Sequence, residues 1–504
     1  MISAISWVPK GAAKPQPIFA DPPSKEAIDN IKAKAGLLDT QEGDENDNDN
    51  ADFSENDVGN ADVDEEEMDL DASKPRDEID EIAQALAAAD ALGSGIIKGM
   101  EELDMDNYDN EDDGVELFGE GIRSLYYPDN KMDPYLQGND EDSEEEEDMT
   151  INPEDALIVC ARNEDDVSHL EVWIVEGSEG ADSNSYVHHD IIIPAFPLCL
   201  AWMDCPLNGG EKGNFIAVGS MEPTIEIWDL DIMDEVQPSA VLGGIIEKKK
   251  KKKGGKKKKS VIFKEGSHTD SVLGLAWNKE YRNVLASASA DKLVKVWDVV
   301  TGNCSYTLDH HTDKVQAVAW NPFAPQVLLS GSFDHSVIMK DARSPSHAGF
   351  KWSVAADVES LAWDPHAEHS FAVSLENGMV TCFDIRTSSS NRSSDPKPSF
   401  TLHAHDKAVS SISYNQLVPN LLATGSMDKT VKLWDLSNNQ PSCVSSKNLK
   451  AGAVFSVSFS DDCPFLLAVG GSKGKLEVSG KFLSWHSSLH KHVSYSFLGD
   501  SIMI

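Results

Sequence analysis

Ser271-Val-Leu-Gly-Leu-Ala-Trp277, Val284-Leu-Ala-Ser-Ala-Ser289 and Leu293-Val-Lys-Val-Trp297-Asp298 follow one another closely in this chain. Each segment is short, and its apolar residues tend to alternate with small or polar ones. Turn-forming residues separate the segments, and Ala290-Asp291-Lys292 supplies the tightest of these turns. Alternation with a period of two, bounded by turn residues, is typical of β-strands. We therefore predict three consecutive strands, with the two tryptophans twenty residues apart.

The same twenty-residue distance between an aromatic and a second marked position occurs five times: Trp277 to Trp297, Trp320 to Lys340, Trp363 to Phe383, Tyr414 to Trp434 and Phe459 to Ser479. The first members of these pairs are themselves 43, 43, 51 and 45 residues apart. Asp follows the second position in four pairs, twice as a full Trp-Asp dipeptide. A period of about 40–45 residues that ends in Trp-Asp predicts WD40 β-propeller blades.

Seven blades can be counted if the first residues of the chain are included. One further unit runs from Trp202 to Trp228-Asp229, with a short insertion that lengthens its internal distance to 26. Another has two inner strands, near Asp155–Cys160 and His169–Trp173, but no first strand nearby. Met1–Val8 resembles Val315–Trp320 in pattern, so we predict that it supplies the missing strand. The predicted fold is all-β, a seven-bladed WD40 β-propeller with a long acidic, largely disordered insertion in blade one.

This assignment divides the chain into four parts. Residues 1–10 hold the first strand of blade one, and residues 11–150 form the acidic insertion, with short helices at Ser24–Leu38 and Glu81–Leu92. Residues 151–478 form blades one to seven and include a lysine-rich disordered loop at 245–260. Residues 479–504 form an atypical C-terminal tail.

Two sets of polar residues recur at one spacing. In the WD-repeat family a His before the first strand, a strand Ser or Thr, a turn Asp and the Trp form a buried hydrogen-bonded tetrad. By position the two predicted tetrads are His268, Ser287, Asp291 and Trp297, and His405, Thr424, Asp428 and Trp434. The alternative is a Ser-His-Asp catalytic triad, but a catalytic set is needed once and this set recurs. We therefore expect a structural role, because a buried polar network fixes one packing when its members satisfy each other.

The negative charge of the chain is concentrated in one segment. Residues 41–148 hold 40 Asp and Glu against 5 Lys and Arg, which accounts for −35 of the total charge of −43. A segment this polar has too little apolar surface to fold alone. Two interpretations remain open: a solvating spacer, or a polyanion mimic that binds basic partners such as histones or ribosomal proteins. Ser143 lies among acidic residues, the setting that acidophilic kinases prefer, and we predict its phosphorylation.

Positive charge is also concentrated, in a run of ten lysines around a Gly pair: Lys248, Lys249, Lys250, Lys251, Lys252, Lys253, Lys256, Lys257, Lys258 and Lys259. The run lies between two predicted blades and must be exposed. Three hypotheses remain open: a solvated loop with no partner, a nuclear or nucleolar import signal, or import combined with contact to an RNA backbone. No aromatic residue interleaves with the lysines, so base-specific recognition is not expected.

Several function classes lack their signatures. The chain has neither the basic start and long apolar core of a signal peptide nor an apolar run of the about 20 residues that a membrane helix needs. Its seven cysteines never form Cys-x-x-Cys, so we expect a reduced intracellular protein without a zinc site. The His188-His189 and His403/His405 pairs are weak metal candidates. We expect no catalytic residues, no cofactor, no metal, no small-molecule substrate and no membrane partner.

Several stretches together resemble the periodic tryptophan protein 1 family of eukaryotic WD-repeat proteins. They are Met1-Ile-Ser-Ala-Ile-Ser-Trp-Val-Pro-Lys-Gly11, Ser24-Lys-Glu-Ala-Ile-Asp29, the acidic segment, Glu171-Val-Trp173, Phe196-Pro-Leu-Cys-Leu-Ala-Trp-Met-Asp204, Asn214–Ser220, Ile225–Leu230 and Gly474–Val478. The resemblance implies a non-enzymatic nucleolar factor in assembly and processing of the large ribosomal subunit precursor and in rRNA transcription. The implied partners are ribosome assembly factors and ribosomal proteins, with pre-rRNA or histones as further candidates. The competing hypothesis is a chromatin-associated, histone-binding module.

The C-terminus departs from the family pattern. Ser479 stands where a Trp should follow Glu477-Val478, and Gly480 stands where an Asp should. Blade seven then needs its outer strand from the tail, for which His492–Phe497 is the candidate. Without that strand the blade keeps an open edge. We expect this chain to be less stable than a version with an intact end; equal melting temperatures for the two forms would refute the expectation.

Overall fold

The computed structural model describes residues 1–20, 149–164, 167–176, 184–207, 212–251, 258–344, 346–387 and 397–479. The predicted helices, Ser143 and His492–Phe497 lie outside these residues. Strands account for almost all of the regular structure described, and two short 3-10 turns occur at Ile385–Thr387 and Ser437–Asn439. The prediction of an all-β, seven-bladed propeller is confirmed.

Blades one and two, with two short accessory strands, contain the first ten strands in chain order: β1 (Ile2–Val8), β2 (Ile18–Phe19), β3 (Ala156–Glu164), β4 (Val167–Val175), β5 (Ser185–Ile193), β6 (Pro197–Met203), β7 (Phe215–Ser220), β8 (Thr224–Asp229), β9 (Ile232–Met233) and β10 (Ala240–Gly243). Blade one has the order β1-β3-β4-β5 and blade two the order β6-β7-β8-β10. The predicted N-terminal strand is therefore the innermost strand of blade one, and it pairs antiparallel with β3.

A two-stranded hairpin and blades three and four follow: β11 (Ile245–Lys251), β12 (Lys258–Phe263), β13 (Val272–Trp277), β14 (Val284–Ser289), β15 (Val294–Asp298), β16 (Asn303–Leu308), β17 (Val315–Trp320), β18 (Val327–Ser332), β19 (Ser336–Asp341) and β20 (Phe350–Ser353). Each of these two blades is a four-stranded antiparallel sheet in sequence order. The middle strands β14 and β18 are almost wholly buried, because a neighbouring blade covers each of their faces. Their Ala, Ser and Gly residues allow this close packing.

The last three blades contain β21 (Val358–Trp363), β22 (Ser370–Leu375), β23 (Met379–Asp384), β24 (Phe400–His403), β25 (Ser411–Tyr414), β26 (Leu421–Gly425), β27 (Val431–Asp435), β28 (Ser442–Lys447), β29 (Val454–Phe459), β30 (Leu467–Gly471) and β31 (Glu477–Ser479). Blades five and six have four strands each. Blade seven has three strands within the described residues, in the order β29-β30-β31.

The hydrophobic core is divided among the seven interfaces between adjacent blades. Ile216 and Trp228 of blade two, for example, pack with Leu157 and Ile174 of blade one. The interface that closes the ring has the same character: Ile2, Ile5 and Trp7 pack with Leu466 and Ala468 of blade seven. The ring is therefore closed by buried apolar surface, as in the interfaces between blades that are consecutive in the chain.

The lysine run requires a correction. The sequence predicted a disordered loop at 245–260, but in the structure the two ends of this segment pair as the antiparallel strands β11 and β12. The register places Lys250 opposite Lys259 and Lys251 opposite Lys258. Apolar β-formers flank the lysines, Ile245-Ile246 on one side and Val261-Ile262-Phe263 on the other, and they favour strand pairing despite the charge.

Candidate functional site

The predicted tetrad of blade three is assembled in the structure. The Nδ1 atom of His268 is 2.9 Å from a carboxylate oxygen of Asp291, and its Nε2 atom is 2.7 Å from the Ser287 hydroxyl. The indole nitrogen of Trp297 donates to the same hydroxyl over 2.9 Å. His268, Ser287 and Trp297 are almost completely buried. The four side chains link the loop before β13 to strands β14 and β15 and to the turn that joins them.

The hydrogen bonds of this tetrad assign its protons. Since Trp297 can only donate, Ser287 accepts from it and donates its own hydrogen to Nε2 of His268. The Nδ1–H group of a neutral His268 then donates to Asp291. Burial lowers the pKa of His268, partly opposed by the carboxylate of Asp291. Burial alone would raise the pKa of Asp291, but hydrogen bonds from His268 and from backbone amides bring it below its ordinary value. The set is therefore a static network whose hydroxyl is fully engaged.

Blade six repeats this arrangement. His405 lies 2.8 Å from Asp428 through Nδ1 and 2.7 Å from the Thr424 hydroxyl through Nε2. Trp434 donates to Thr424 over 3.0 Å. Burial again lowers the pKa of the histidine. The structure thus brings together all eight predicted tetrad residues in two equivalent networks.

Blade four contains a related network that the two predicted tetrads did not include. His311 lies 3.0 Å from Asp334 and 2.9 Å from the Ser330 hydroxyl. Lys340 occupies the position of the tetrad Trp, opposite Leu328. The missing donor is replaced by His310, whose Nε2 atom is 2.8 Å from Ser330. A histidine directly before the tetrad histidine was the available signal in the sequence.

His310 is held in its neutral form. Burial, with the neighbouring His311 and Lys340, lowers the pKa of His310 to about 3. Its Nδ1 atom is buried without a hydrogen-bond partner. An Nδ1 atom that carries no hydrogen is consistent with the tautomer in which Nε2–H donates to Ser330.

In blades one and two, the Trp at the tetrad position donates its indole N–H to a glutamate of its own strand. Trp173 donates to Glu171 over 2.9 Å, and Trp228 donates to Glu226 over 3.3 Å. The Glu-x-Trp pattern was visible in the sequence of both strands. The predicted tetrad of His, Ser or Thr, Asp and Trp does not contain a Glu, so this bond was not predicted. Arg162 also contacts Glu171, at 2.8 Å, and compensates its buried charge.

The end of the ring opposite the tetrad histidines and aspartates is lined by aromatic residues. At this end, the last or second-last residue of every innermost strand is aromatic. These residues are Trp7, Trp202, Trp277, Trp320, Trp363, Tyr414 and Phe459. We call this the aromatic end. Trp202 and Trp277 meet edge to face, with 5.5 Å between ring centroids.

Three of these tryptophans donate a hydrogen bond to a backbone carbonyl of the preceding blade. Trp320 donates to the carbonyl of Ala276 over 3.0 Å, and Trp363 donates to the carbonyl of Ala319 over 3.2 Å. In each case the acceptor precedes the aromatic of the preceding blade. Trp7 makes the same bond, over 3.0 Å, to Ser458, which precedes Phe459. Blade one therefore follows blade seven in the ring just as blade four follows blade three.

Two cavities open at the aromatic end of the central channel. One, of about 420 Å³, is lined by residues that include Trp277, Trp320, Trp363 and Tyr414. The other, of about 240 Å³, is lined by residues that include Trp7, Trp202 and Trp277. Lys279 borders both cavities, and its ammonium nitrogen lies 2.9 Å from the carboxylate of Asp461.

The aromatic end also contains a repeated turn that was not predicted from the sequence. Asn278, Asn321 and Asn415 each directly follow a blade aromatic, and each side-chain oxygen accepts two backbone N–H bonds from the next residues. Asn278 and Asn415 also donate to a proline carbonyl of the next blade, Pro325 and Pro464 respectively. The recurrence of Asn after the aromatic was the signal in the sequence.

The described residues on either side of the acidic insertion lie together on the propeller. Ile151 donates its backbone N–H to the carbonyl of Pro15 over 2.8 Å. Strand β2, just before the insertion, pairs in parallel with β9 of the blade two connection. The backbone N–H of Lys14 donates to Asp231, which also accepts from the Asn214 side chain. The described flanks of the insertion therefore lie next to each other, beside blades one and two.

The remaining predicted features are placed as follows. The described residues contain no group of three or more His, Cys, Asp or Glu side chains able to hold a metal ion, and His188 instead contacts His189 and the carbonyl of Met149. All seven cysteines are free thiols. Nowhere in the described part of the chain is a helix both long enough and apolar enough to cross a membrane.

Comparison with known proteins identifies the repeats and the family. The family described as "WD domain, G-beta repeat" matches residues 259–298, 302–339 and 396–435. An uncharacterized WD repeat-containing protein of Schizosaccharomyces pombe is 44% identical over 76% of this chain and 75% of its own length.

Two relatives that bear the family name align with this chain over nearly their whole length. Periodic tryptophan protein 1 of Saccharomyces cerevisiae is 31% identical over 99% of this chain and 90% of its own length. The periodic tryptophan protein 1 homolog of Drosophila melanogaster is 30% identical over 94% of this chain and 92% of its own length. Since similarity at this level extends over the acidic insertion as well as the repeats, the chain belongs to the periodic tryptophan protein 1 family of WD-repeat proteins.

Proposed function

We propose that this protein is a non-catalytic scaffold for ribosome assembly in the nucleolus, acting on the large-subunit precursor and in rRNA processing and transcription. The observation that supports this most strongly is the family membership, which extends over almost the whole chain. The architecture supports it as well. A closed ring presents two rigid faces and a rim, which suits simultaneous binding of several partners. Among the described residues, the Ser-His-Asp sets of blades three and four are buried networks within single blades.

The charged segments supply the second part of the proposal. The acidic insertion carries a charge of −35 in residues 41–148, and its described flanks lie beside blades one and two. It offers a polyanionic surface to basic ribosomal proteins while they await rRNA. Phosphorylation of Ser143 would increase this charge. Phosphopeptide mapping of the cellular protein tests that step, and Ser143 found always unmodified would remove it.

The lysine hairpin supplies the nucleolar address and a contact to pre-rRNA phosphates. Deletion of residues 248–259 should disperse the protein from nucleoli without unfolding the ring, because the hairpin is a separate two-stranded sheet. A chain with the ten lysines changed to glutamine is the matched variant that keeps the length. Nucleolar retention of both variants would exclude this role.

Sedimentation of cell extracts tests the central proposal. The protein should move with large-subunit precursor particles, and RNase treatment should shift it to light fractions. Affinity purification should recover ribosomal proteins and assembly factors. Recovery of histones in their place would favour the chromatin-associated module, which the acidic insertion would also suit. Sedimentation as a free protein in growing cells would contradict the proposal.

A further inference from the structure

An ion pair crosses the mouth of the central channel at the aromatic end. Lys279 follows the aromatic of blade three, and Asp461 follows the aromatic of blade seven, yet their charged atoms are 2.9 Å apart. Two blades separate them on one side of the ring and three on the other, so the pair spans the opening almost diametrically. The two cavities lie on either side of it, one on blades three to six and the other on blades seven, one, two and three.

The aromatic rings around the mouth have no free indole donor to offer a ligand. Trp7, Trp320 and Trp363 donate to carbonyls of the preceding blade, Trp277 donates to the carbonyl of Arg282, and Trp202 donates to the side chain of Asn214. A ligand in the mouth would therefore meet aromatic ring surface and two carboxylates, those of Asp461 and Glu280. Ring faces attract cations through their quadrupole, and a carboxylate pairs with cations directly.

The position of Lys279 indicates which kind of ligand group can bind at the mouth of the channel. Its side chain is 68% exposed, whereas that of Asp461 is only 37% exposed, so the lysine is the partner that can leave. An exposed ion pair of this kind contributes little net stability, and its replacement by another cation costs little. Lys279 therefore behaves as a weakly held occupant supplied by the chain itself.

We propose that the aromatic end of the channel binds the side chain of a lysine or arginine from an extended basic segment of a partner protein, which displaces Lys279 from Asp461. The aromatic lining alone would equally suit a proline-rich segment, but the carboxylates at the mouth select a cation. The site would hold one basic residue of the partner at the channel axis. This proposal concerns a site on the ring and does not depend on a role in ribosome assembly.

Titration of the full-length protein with two peptides tests the proposal. The probes are fluorescein-labelled Ser-Gly-Arg-Gly-Ser and its counterpart with norleucine in place of Arg, at near-physiological salt. Lys279→Met should tighten binding of the Arg peptide at least fivefold, because the internal competitor is removed. Asp461→Asn should weaken it at least fivefold. Neither change should affect the norleucine peptide. Glu368→Gln is the control, because Glu368 is an exposed carboxylate on a loop at the same end.

The acidic insertion is identical in all variants, so any binding of basic peptides to it does not contribute to the differences. Equal binding of the Arg and norleucine peptides would overturn the proposal. So would unchanged affinity in both Lys279→Met and Asp461→Asn, or a loss in Glu368→Gln as large as that in Asp461→Asn. A proline-rich peptide that binds wild type more tightly than the Arg peptide would identify the other occupant and would also overturn it.

Discussion

Ile2 occupies the space into which a side chain on Gly470 would project: a Cβ atom at Gly470 would lie 2.5 Å from Cγ2 of Ile2. Gly331 and Val358 have the same relationship, also at 2.5 Å, within the continuous part of the chain. Ile2 of blade one therefore fits the middle strand of blade seven just as Val358 of blade five fits that of blade four. The interface between the two ends of the propeller is built like any other interface in it.

Gly470→Ala should destabilise the protein by about 1–3 kcal/mol, because the added methyl group overpacks a rigid interface. The matched variant Gly331→Ala should cost a similar amount. Urea unfolding measures both. A neutral Gly470→Ala beside a destabilising Gly331→Ala would mean that Ile2 does not occupy this position.

Ser287→Ala tests the tetrad as a unit. The change leaves the Trp297 N–H and the His268 Nε2 buried without partners, at about 1–3 kcal/mol for each unsatisfied group. Trp297→Phe removes one of those groups, so the double variant should be more stable than the sum of the two single losses implies. Strict additivity in the unfolding free energies would show that the hydrogen bond between these side chains contributes nothing.

Acid should destabilise the ring below about pH 6.5. The buried histidines 268, 310, 311 and 405 all have pKa values below the ordinary one, mainly because of burial. The unfolded chain therefore binds more protons in this range. Stability is fully present above the ordinary histidine pKa and falls as the pH drops toward the folded values, by at most about 1.4 kcal/mol per pH unit for each group.

His310 should contribute to this acid sensitivity over the widest range, since its pKa is lowered to about 3. His310→Gln keeps an N–H donor for Ser330 and removes the titrating group. Its unfolding free energy should therefore depend less steeply on pH between 6 and 4 than that of the wild type. Parallel curves for the two proteins would contradict the assignment.

The repeating positions made most of the fold predictable from the sequence. Blade aromatics such as Trp277 and Trp320 recur at nearly constant spacing because each ends the same strand at the same end of the ring. Met1–Val8 could be placed because its alternation matches that of Val315–Trp320, although about 150 residues separate it from its partner strand β3. Repetition thus predicted contacts between residues far apart in the chain.

Features that occur once were not predictable in this way. The parallel pairing of β2 with β9 involves two residues on each side and has no periodic signal. The role of His310 depends on the replacement of the tetrad Trp by Lys340 in β19 of the same blade, which no pattern near His310 records. The ion pair between Lys279 and Asp461 depends on the curvature of the whole ring, since neither residue is a repeat position.

Hydrogen exchange of the amides in residues 2–8 tests most directly whether the ring is closed by its N-terminal strand. If β1 is the innermost strand of blade one, these amides should be protected to the same degree as those of Val272–Trp277 in the equivalent strand of blade three. Exchange of residues 2–8 at the rate of an unstructured peptide, with Val272–Trp277 still protected, would contradict the closed seven-bladed ring.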